Sequence, residues 1–428
     1  MKTRMSNRAL IDKMVAEHGN NRELYHSMKR YYDGKHDIFT FYQKFPNRAN
    51  TIVVDNFVNK FINEEVQYSL GNPLSYVSLS GDKAIIDAIY YNTFHWKDNH
   101  NQELMRVLEI YGTAYVLNYI DNKGRFCERI LTPAEAICYC DDNGVPQRFI
   151  HFYQKQYEEH FYKDIYYPDG KIEVYRGNTK IATRNQTFKG IPVTVCKLEN
   201  IEDTIYAKIK QLQDAYNQIL SDQCNNISDY RNAYLVVSGV AVDEDTEKKL
   251  HTHGIMSLPS ANANARWLVK DMPDTYIQNM LDNLKNSMYS STNHIDGNEK
   301  LQSNTSGTAL RNRLVFLEQR CNMMLQIVLD TVYERLARLF EYLSVKGQNY
   351  SITDIKVVSS PCIPQDEVSI AQMLSQLGIG TNISLDTALS LLPFIENPAH
   401  EIAKIRAEQG EKQKREKAIN LQMIEGDE

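Results

Sequence analysis

The sequence predicts an α+β protein organised around long helices, and three observations carry that reading. Asp271 to Gly347 reads as helix, hydrophilic loop, longer helix. Met272 to Ile295 is helical with Pro273 at its start; Leu310, Leu314, Leu317, Cys321, Met324, Val328, Val332, Leu336, Leu339 and Leu343 then recur at spacings of three and four. At 1.5 Å per residue, a helix from Thr308 to Lys346 spans roughly 58 Å, long for a globular domain. Three strand pairs closed by turns follow one another between residues 113 and 175, and an α/β insertion of about forty residues separates two helices.

In chain order, residues 1 to 50 are polar and Tyr-rich, with a short amphipathic segment at Leu10, Ile11, Met14 and Val15. From Thr51, Val54, Val58, Ile62 and Val66 share a helical face that Phe57 and Phe61 widen, and Gly71-Asn72-Pro73 stops it. A helix from Asn101 to Tyr111 ends at Gly112. The period then changes to two. Segments 113–119 and 125–131, 136–140 and 147–154, and 160–167 and 171–175 flank the turns Asp121–Gly124, Asp141–Gly144 and Pro168–Gly170, which predicts one antiparallel meander. Ile201, Ile205, Ile209, Leu212, Tyr216, Ile219 and Ile227 trace a second long helix, with Glu202, Asp203, Asp214 and Asp222 opposite. In the insertion, Tyr234–Ser238, Gly254–Leu258 and Arg266–Val269 read as strands and Asp243–His251 as a helix, so the flanking helices leave and return like the legs of a stalk. Beyond Gly347 come a strand at Ile352–Val358, helices at Val368–Leu377 and Asn382–Leu392, the latter capped by Asn382 or Ser384, and a charged helical end from Pro398 to Ile424.

A chain of 428 residues exceeds the usual single core, so two or more domains are expected. The formal charge of −6 and pI near 6.0 argue against gripping nucleic acid over the whole surface, not against letting it slide past. Seven cysteines are scattered, and Cys138 and Cys140 form a CxC with no second pair at metal-ligand spacing, so reduced thiols are expected instead of a zinc site. His251 and His253 read as surface or packing residues. No stretch approaches a membrane span and Met1 to Arg8 has no apolar signal region, which points to the cytosol or an assembly formed there. Nucleotide-cradle, nucleophile-elbow and zinc-protease motifs are absent. Glu64-Glu65 reads as exposed helix charge and Asp141-Asp142 as part of a turn. No catalytic residue, metal or cofactor is therefore expected.

The loop after Asp296 carries Asn298, Lys300, Gln302, Ser303, Asn304 and Thr305, followed by Arg311 and Arg313. Such donors and acceptors with one positive charge can touch phosphate oxygens without trapping them. The plainer reading is a helix-capping linker, with Thr305 or Ser306 as N-cap and Gly307 for backbone freedom, and composition alone favours it.

Six short stretches occur in a telling order over residues 50 to 405: Ile52–Phe61 followed by Gly71-Asn72-Pro73; Tyr111–Tyr115; Leu131–Glu135; Leu212–Asn217 with Ser221; Ser306–Leu310; and Leu392-Pro393 with Asn397-Pro398. In that order the chain resembles the portal proteins of tailed double-stranded-DNA bacteriophages, of the siphophage type. The resemblance implies a long-helix portal fold: an α/β wing (1–198), a stem helix (199–230), a small α/β clip (231–272), a second stem helix (273–296), a tunnel loop (297–308), the wing's spoke helix and strand (309–366), and a helical crown (367–428) that is short for the family. It also implies a dodecameric ring at one capsid vertex, assembled in the host cytoplasm, whose channel passes double-stranded DNA during packaging and ejection. The implied partners are the terminase large subunit, a head-completion or neck adaptor protein, and the major capsid and scaffolding proteins, with no membrane. The six loop residues would line the constriction, and an acidic stem face would keep the channel slippery. Two other readings stay open. One is a metal-dependent nucleic-acid-processing enzyme using Glu64, Asp141 and Asp142 with Mg²⁺; the other is a helical adaptor whose 309–346 stripe binds a partner helix.

Overall fold

The fold is given by a computed structural model, which describes residues 6–230 apart from 45, 47 and 48, then 234–238, 264–268, 274–296, 307–361, 376, 384–390, and 401–410 apart from 403, 407 and 409. The chain divides into two units, Met1–Cys362 and Ile363–Glu428.

In the first unit, α1 (Asn7–Tyr32) is capped by Ser6, whose hydroxyl accepts from Ala9 N. The short segment expected at Leu10–Val15 is only its first part, and packs on Ile150 and Ile165. The remainder escaped notice because it buries His18 and Ser27 alongside Met28 and Tyr31, which blurs the apolar period. α2 (Ile38–Phe41) precedes α3 (Phe57–Leu70), which starts later than the expected Thr51 because residues 51–56 are not helical. β1 (Ser75–Ser78) leads to α4 (Lys83–Thr93), unforeseen, and then α5 (His100–Tyr111). Gly112 ends α5 at φ +70°, where a side chain would be strained and a Cβ would meet Thr204 Cγ2 at 3.1 Å.

The three expected hairpins form, but in two sheets instead of one meander. β2 (Thr113–Ile120), β3 (Phe126–Leu131) and β9 (Val193–Lys197) pair antiparallel in the order β3-β2-β9. β4 (Ala136–Cys140), β5 (Pro146–Gln154), β6 (Phe161–Tyr166), β7 (Lys171–Arg176) and β8 (Thr179–Asn185) form the second sheet in sequential order. The break follows β3, where Ala136 N closes back on Thr132 O at 3.0 Å in one helical turn around Pro133 and redirects the chain. β2 is buried on both faces: Ala114 and Val116 join the helical core, while Tyr115 and Leu117 meet Phe149 and Tyr166 of the second sheet.

α6 (Ile205–Tyr230) runs out to the antiparallel pair β10 (Tyr234–Ser238) and β11 (Asn264–Leu268), and α7 (Asp274–Thr292) returns packed against α6. The helix expected at 243–251 and the strand at 254–258 lie outside the described residues. α8 (Gly307–Val345) has 39 residues and buries Leu317, Cys321, Met324, Val328, Val332, Leu336, Leu339 and Leu343, as the periodicity predicts. β12 (Ile355–Val358) pairs with β1. In the second unit, α9 (Leu385–Ser390) follows Ser384, whose carbonyl accepts from Ala388 N. Helical positions at 401, 402, 404–406, 408 and 410 agree with the charged end, while 368–375 and 377 lie outside the described residues.

Candidate functional site

The loop residues Asn298, Lys300, Gln302, Ser303, Asn304 and Thr305, with the side chains of Arg311 and Arg313, lie outside the described residues. The structure does give how both flanks of that loop are held. α7 closes with the Thr292 hydroxyl donating to Met288 O at 2.8 Å, Asn293 at φ +60°, and His294 N returning to Tyr289 O at 3.0 Å. The His294 ring is buried and stacked on Phe61 at 4.2 Å, with Nε2 3.2 Å from Phe61 O and 3.6 Å from Glu65 Oε1. Burial lowers its pKa against the opposing pull of Glu65. Lys285 then holds Asp296 at 2.5 Å, and Lys60 donates to Tyr289 Oη at 2.6 Å.

Beyond the loop, three arginines fasten α8. Arg320 donates through Nε to Glu65 Oε1 (2.6 Å) and through Nη1 to Asp203 O (3.2 Å), and Nη2 faces Glu109 at 3.6 Å. All three charged side chains are buried. Desolvation and the neighbouring Glu65 push the Glu109 carboxyl well above its ordinary range, against the opposing pull of Arg320. Arg335 donates to both oxygens of Glu128 at 2.6 Å and to Asn101 at 2.7 Å, and lies over the Trp96 ring. Burial alone would raise Glu128; Arg335 and His100 overcome it and bring the carboxyl down to about 2. Arg338 donates to Ile191 O and Val193 O at 3.3 and 3.2 Å. Glu65 thus meets the chain on both sides of the loop, at His294 and at Arg320.

The two-helix stalk is tied to the rest by a ladder of side chains. Gln213, Asn217, Ser221 and Asn225 of α6, all buried, accept from the backbone N–H groups of Phe57, Asp55, Val53 and Thr51 at 2.9, 3.1, 2.9 and 2.8 Å. Gln213, Ser221 and Asn225 also donate to the carbonyls of Asp55, Val53 and Thr51. The spacings match because four helical residues rise about 6 Å and two residues of extended chain about 6.6 Å. One helix face thereby supplies bonds that a neighbouring strand would. Tyr216 of α6 and Tyr289 of α7 both meet Phe57 edge-on, at 5.4 and 6.0 Å.

A family model described as phage portal protein, SPP1 Gp6-like, matches residues 11–415. The chain belongs to this portal family. The portal protein of Bacillus phage SPP1 is 22% identical over 443 residues, covering 93% of this chain and 86% of that protein. Two solved structures are similar at 12% identity: the neck of an empty GTA particle computed with C6 symmetry (TM-score 0.47, 79% of this chain and 90% of that one) and the virion of a native gene transfer agent particle (TM-score 0.48, 78% and 88%). Both scores fall below 0.5, and the assignment rests on the family match. The resemblance read from the sequence is borne out. Membership makes the chain a structural, non-enzymatic portal protein of the virion, at the capsid vertex. Among the described residues no helix is long and apolar enough to cross a membrane.

Against this portal frame, several expectations change. Glu65 is not exposed helix charge but fully buried, and Glu64 is half-buried with Lys60 at 4.0 Å. Asp141 accepts from the N–H groups of Asn143 and Val145 at 3.0 and 2.9 Å, in keeping with the turn reading. The enzyme reading is set aside by the family match, and among the described residues no group of three or more His, Cys, Asp or Glu could hold a metal ion. The adaptor reading fails because the α8 stripe is covered by α3, α5, β2 and β9. The acidic stem face is largely engaged: Asp214 accepts from Tyr31 Oη (2.5 Å) and Lys210 (2.8 Å), and Asp222 from Tyr42 Oη (2.6 Å). These carboxylates hold the N-terminal segment on α6. Glu109, Glu128, Arg320, Arg335 and Arg338 went unread in the sequence, where a charge inside an apolar run, such as Glu109 between Leu108 and Ile110, was a signal.

Proposed function

We propose that the chain assembles into a dodecameric ring, formed in the host cytoplasm, whose channel passes double-stranded DNA during packaging and ejection. In this reading α6 and α7 are the stem, 231–272 the clip, 297–308 the tunnel loop and 367–428 the crown. The wing is 1–198 with 309–366, and α8 is its spoke. Asn298, Lys300, Gln302, Ser303, Asn304 and Thr305 line the constriction. The terminase large subunit docks during packaging and a head-completion or neck adaptor protein afterwards, with the major capsid and scaffolding proteins around the ring.

The observation that supports this reading is the shared hold of Glu65 on His294, at the end of α7, and on Arg320, roughly 20 Å along α8 from its start, which ties the two helices that the loop joins to one point of α3. The loop's single lysine keeps phosphate contacts weak because few counterions are released. Ile227, Tyr276 and Met280 stay exposed on the stem helices, apolar surface that neighbouring copies cover in a ring. The reading is tested by replacing Lys300 and Gln302–Thr305 with Gly and Ala. Rings still form, while the amount of DNA packaged or retained changes. If assembly fails and rescued rings package normally, the loop is a structural cap and lines nothing.

A further inference from the structure

β4 carries Cys138 and Cys140 two residues apart, on one face of the strand. Their sulfurs lie 3.8 Å apart. β4 is an edge of the five-stranded sheet, and its register with β5 shifts between Tyr139 and Cys140, the kind of irregularity that re-aims a side chain. Both residues are half-buried, Cys138 packing partly against the core of the second sheet and Cys140 the more open of the two. Cys127 and Cys224 are similarly exposed, yet among the described residues no other sulfur pair is in contact. The hydrogen bond from Cys138 brings Cys140 down to about 7, helped by Lys197, and the Cys138 thiol is correspondingly raised. The pair therefore offers one attacking thiolate and one thiol in reserve.

We propose that Cys138 and Cys140 are a redox dithiol that closes to a disulfide on meeting an oxidised low-molecular-weight disulfide. The Cys140 thiolate attacks one sulfur of the small disulfide and expels the other as a thiolate. Cys138 gives its proton to that leaving thiolate, and its sulfur attacks Cys140 Sγ, expelling the second small thiolate, which takes a proton from water. Two protein thiols are oxidised, and one small disulfide is reduced to two thiols. Thiols persist in reducing cell interiors and oxidise outside them, and a virion component passes from one to the other. On this proposal the pair is a dithiol while the particle is built and a disulfide after release. The inference rests on virion membership alone, not on the ring or the channel.

The test uses the full-length reduced chain in oxidised glutathione near neutral pH, with acid quench, alkylation and peptide mass mapping. The peptide holding both cysteines is expected two hydrogens lighter and unalkylated, while Cys127 and Cys224 remain alkylated. Phenylarsine oxide, which bridges neighbouring thiols, blocks the closure when added first. Cys138→Ser traps glutathione on Cys140, and Cys140→Ser slows the reaction at Cys138 by about tenfold. Glutathione spread evenly over Cys127, Cys140 and Cys224 with no internal crosslink overturns the proposal. That wild-type map decides the matter even if a serine variant fails to fold.

Discussion

Glu65 shows what one side chain can organise when water is kept from it. Its carboxylate binds Arg320 and faces His294, so losing Arg320 leaves buried charge uncompensated, whereas an exposed pair would matter little. The buried titratable groups also set how the wing responds to acid. Burial lowers His151 to about 4, and lowers His18, His36 and His294 as well. The unfolded chain takes up these protons near pH 6.5, so their contribution is full above that pH and is lost as pH falls toward 4. Glu128 and Glu173, each brought down to about 2 by cationic neighbours against burial, add a second loss between about 4.5 and 2. Glu109, whose carboxyl burial and Glu65 raise, works the other way. Urea midpoints measured from pH 8 to pH 3 are therefore expected to decline in two stages. His151→Phe, which keeps a ring beside Tyr153, should remove about 2–3 kcal/mol of the first stage and leave the second. A profile flat between 6.5 and 4 contradicts this.

The elements divide by how plainly their period is written. The α8 stripe and the three hairpin turns were legible because one buried face leaves a regular trace, and Gly112 marked its helix end. The ladder on α6 was not. Gln213, Asn217, Ser221 and Asn225 repeat every four residues, but polar residues at that spacing read as a wetted face, and their partners lie about 160 residues earlier in the chain. β9 was missed for a related reason, since it joins β2 across the whole second sheet. The ladder makes a sharp prediction for hydrogen exchange: amides of Thr51, Val53, Asp55 and Phe57 should be protected, and those of Ile52 and Val54 fast. Asn217→Ala should erase protection at Asp55 and cost about 2–3 kcal/mol, because His36 Nδ1, 2.8 Å from Asn217 Nδ2, also loses its partner. Uniform exchange across residues 51–57 would mean that the ladder does not hold the segment.

At the scale of the molecule, the portal assignment was legible from the order of short stretches, and the charges that fasten the loop's flanks were not. Glu109 stands inside an apolar run and Arg320 on the α8 stripe between Leu317 and Met324, so both interrupt the pattern of a core that they fasten. The two stem helices pack as a pair and leave Tyr276 and Met280 exposed, the apolar surface that the proposed ring would cover. End-on electron micrographs of the purified full-length chain test this most directly. A closed ring around a central channel is the predicted image. A species that stays strictly monomeric at micromolar concentration, and in capsid-containing extracts, would contradict the account.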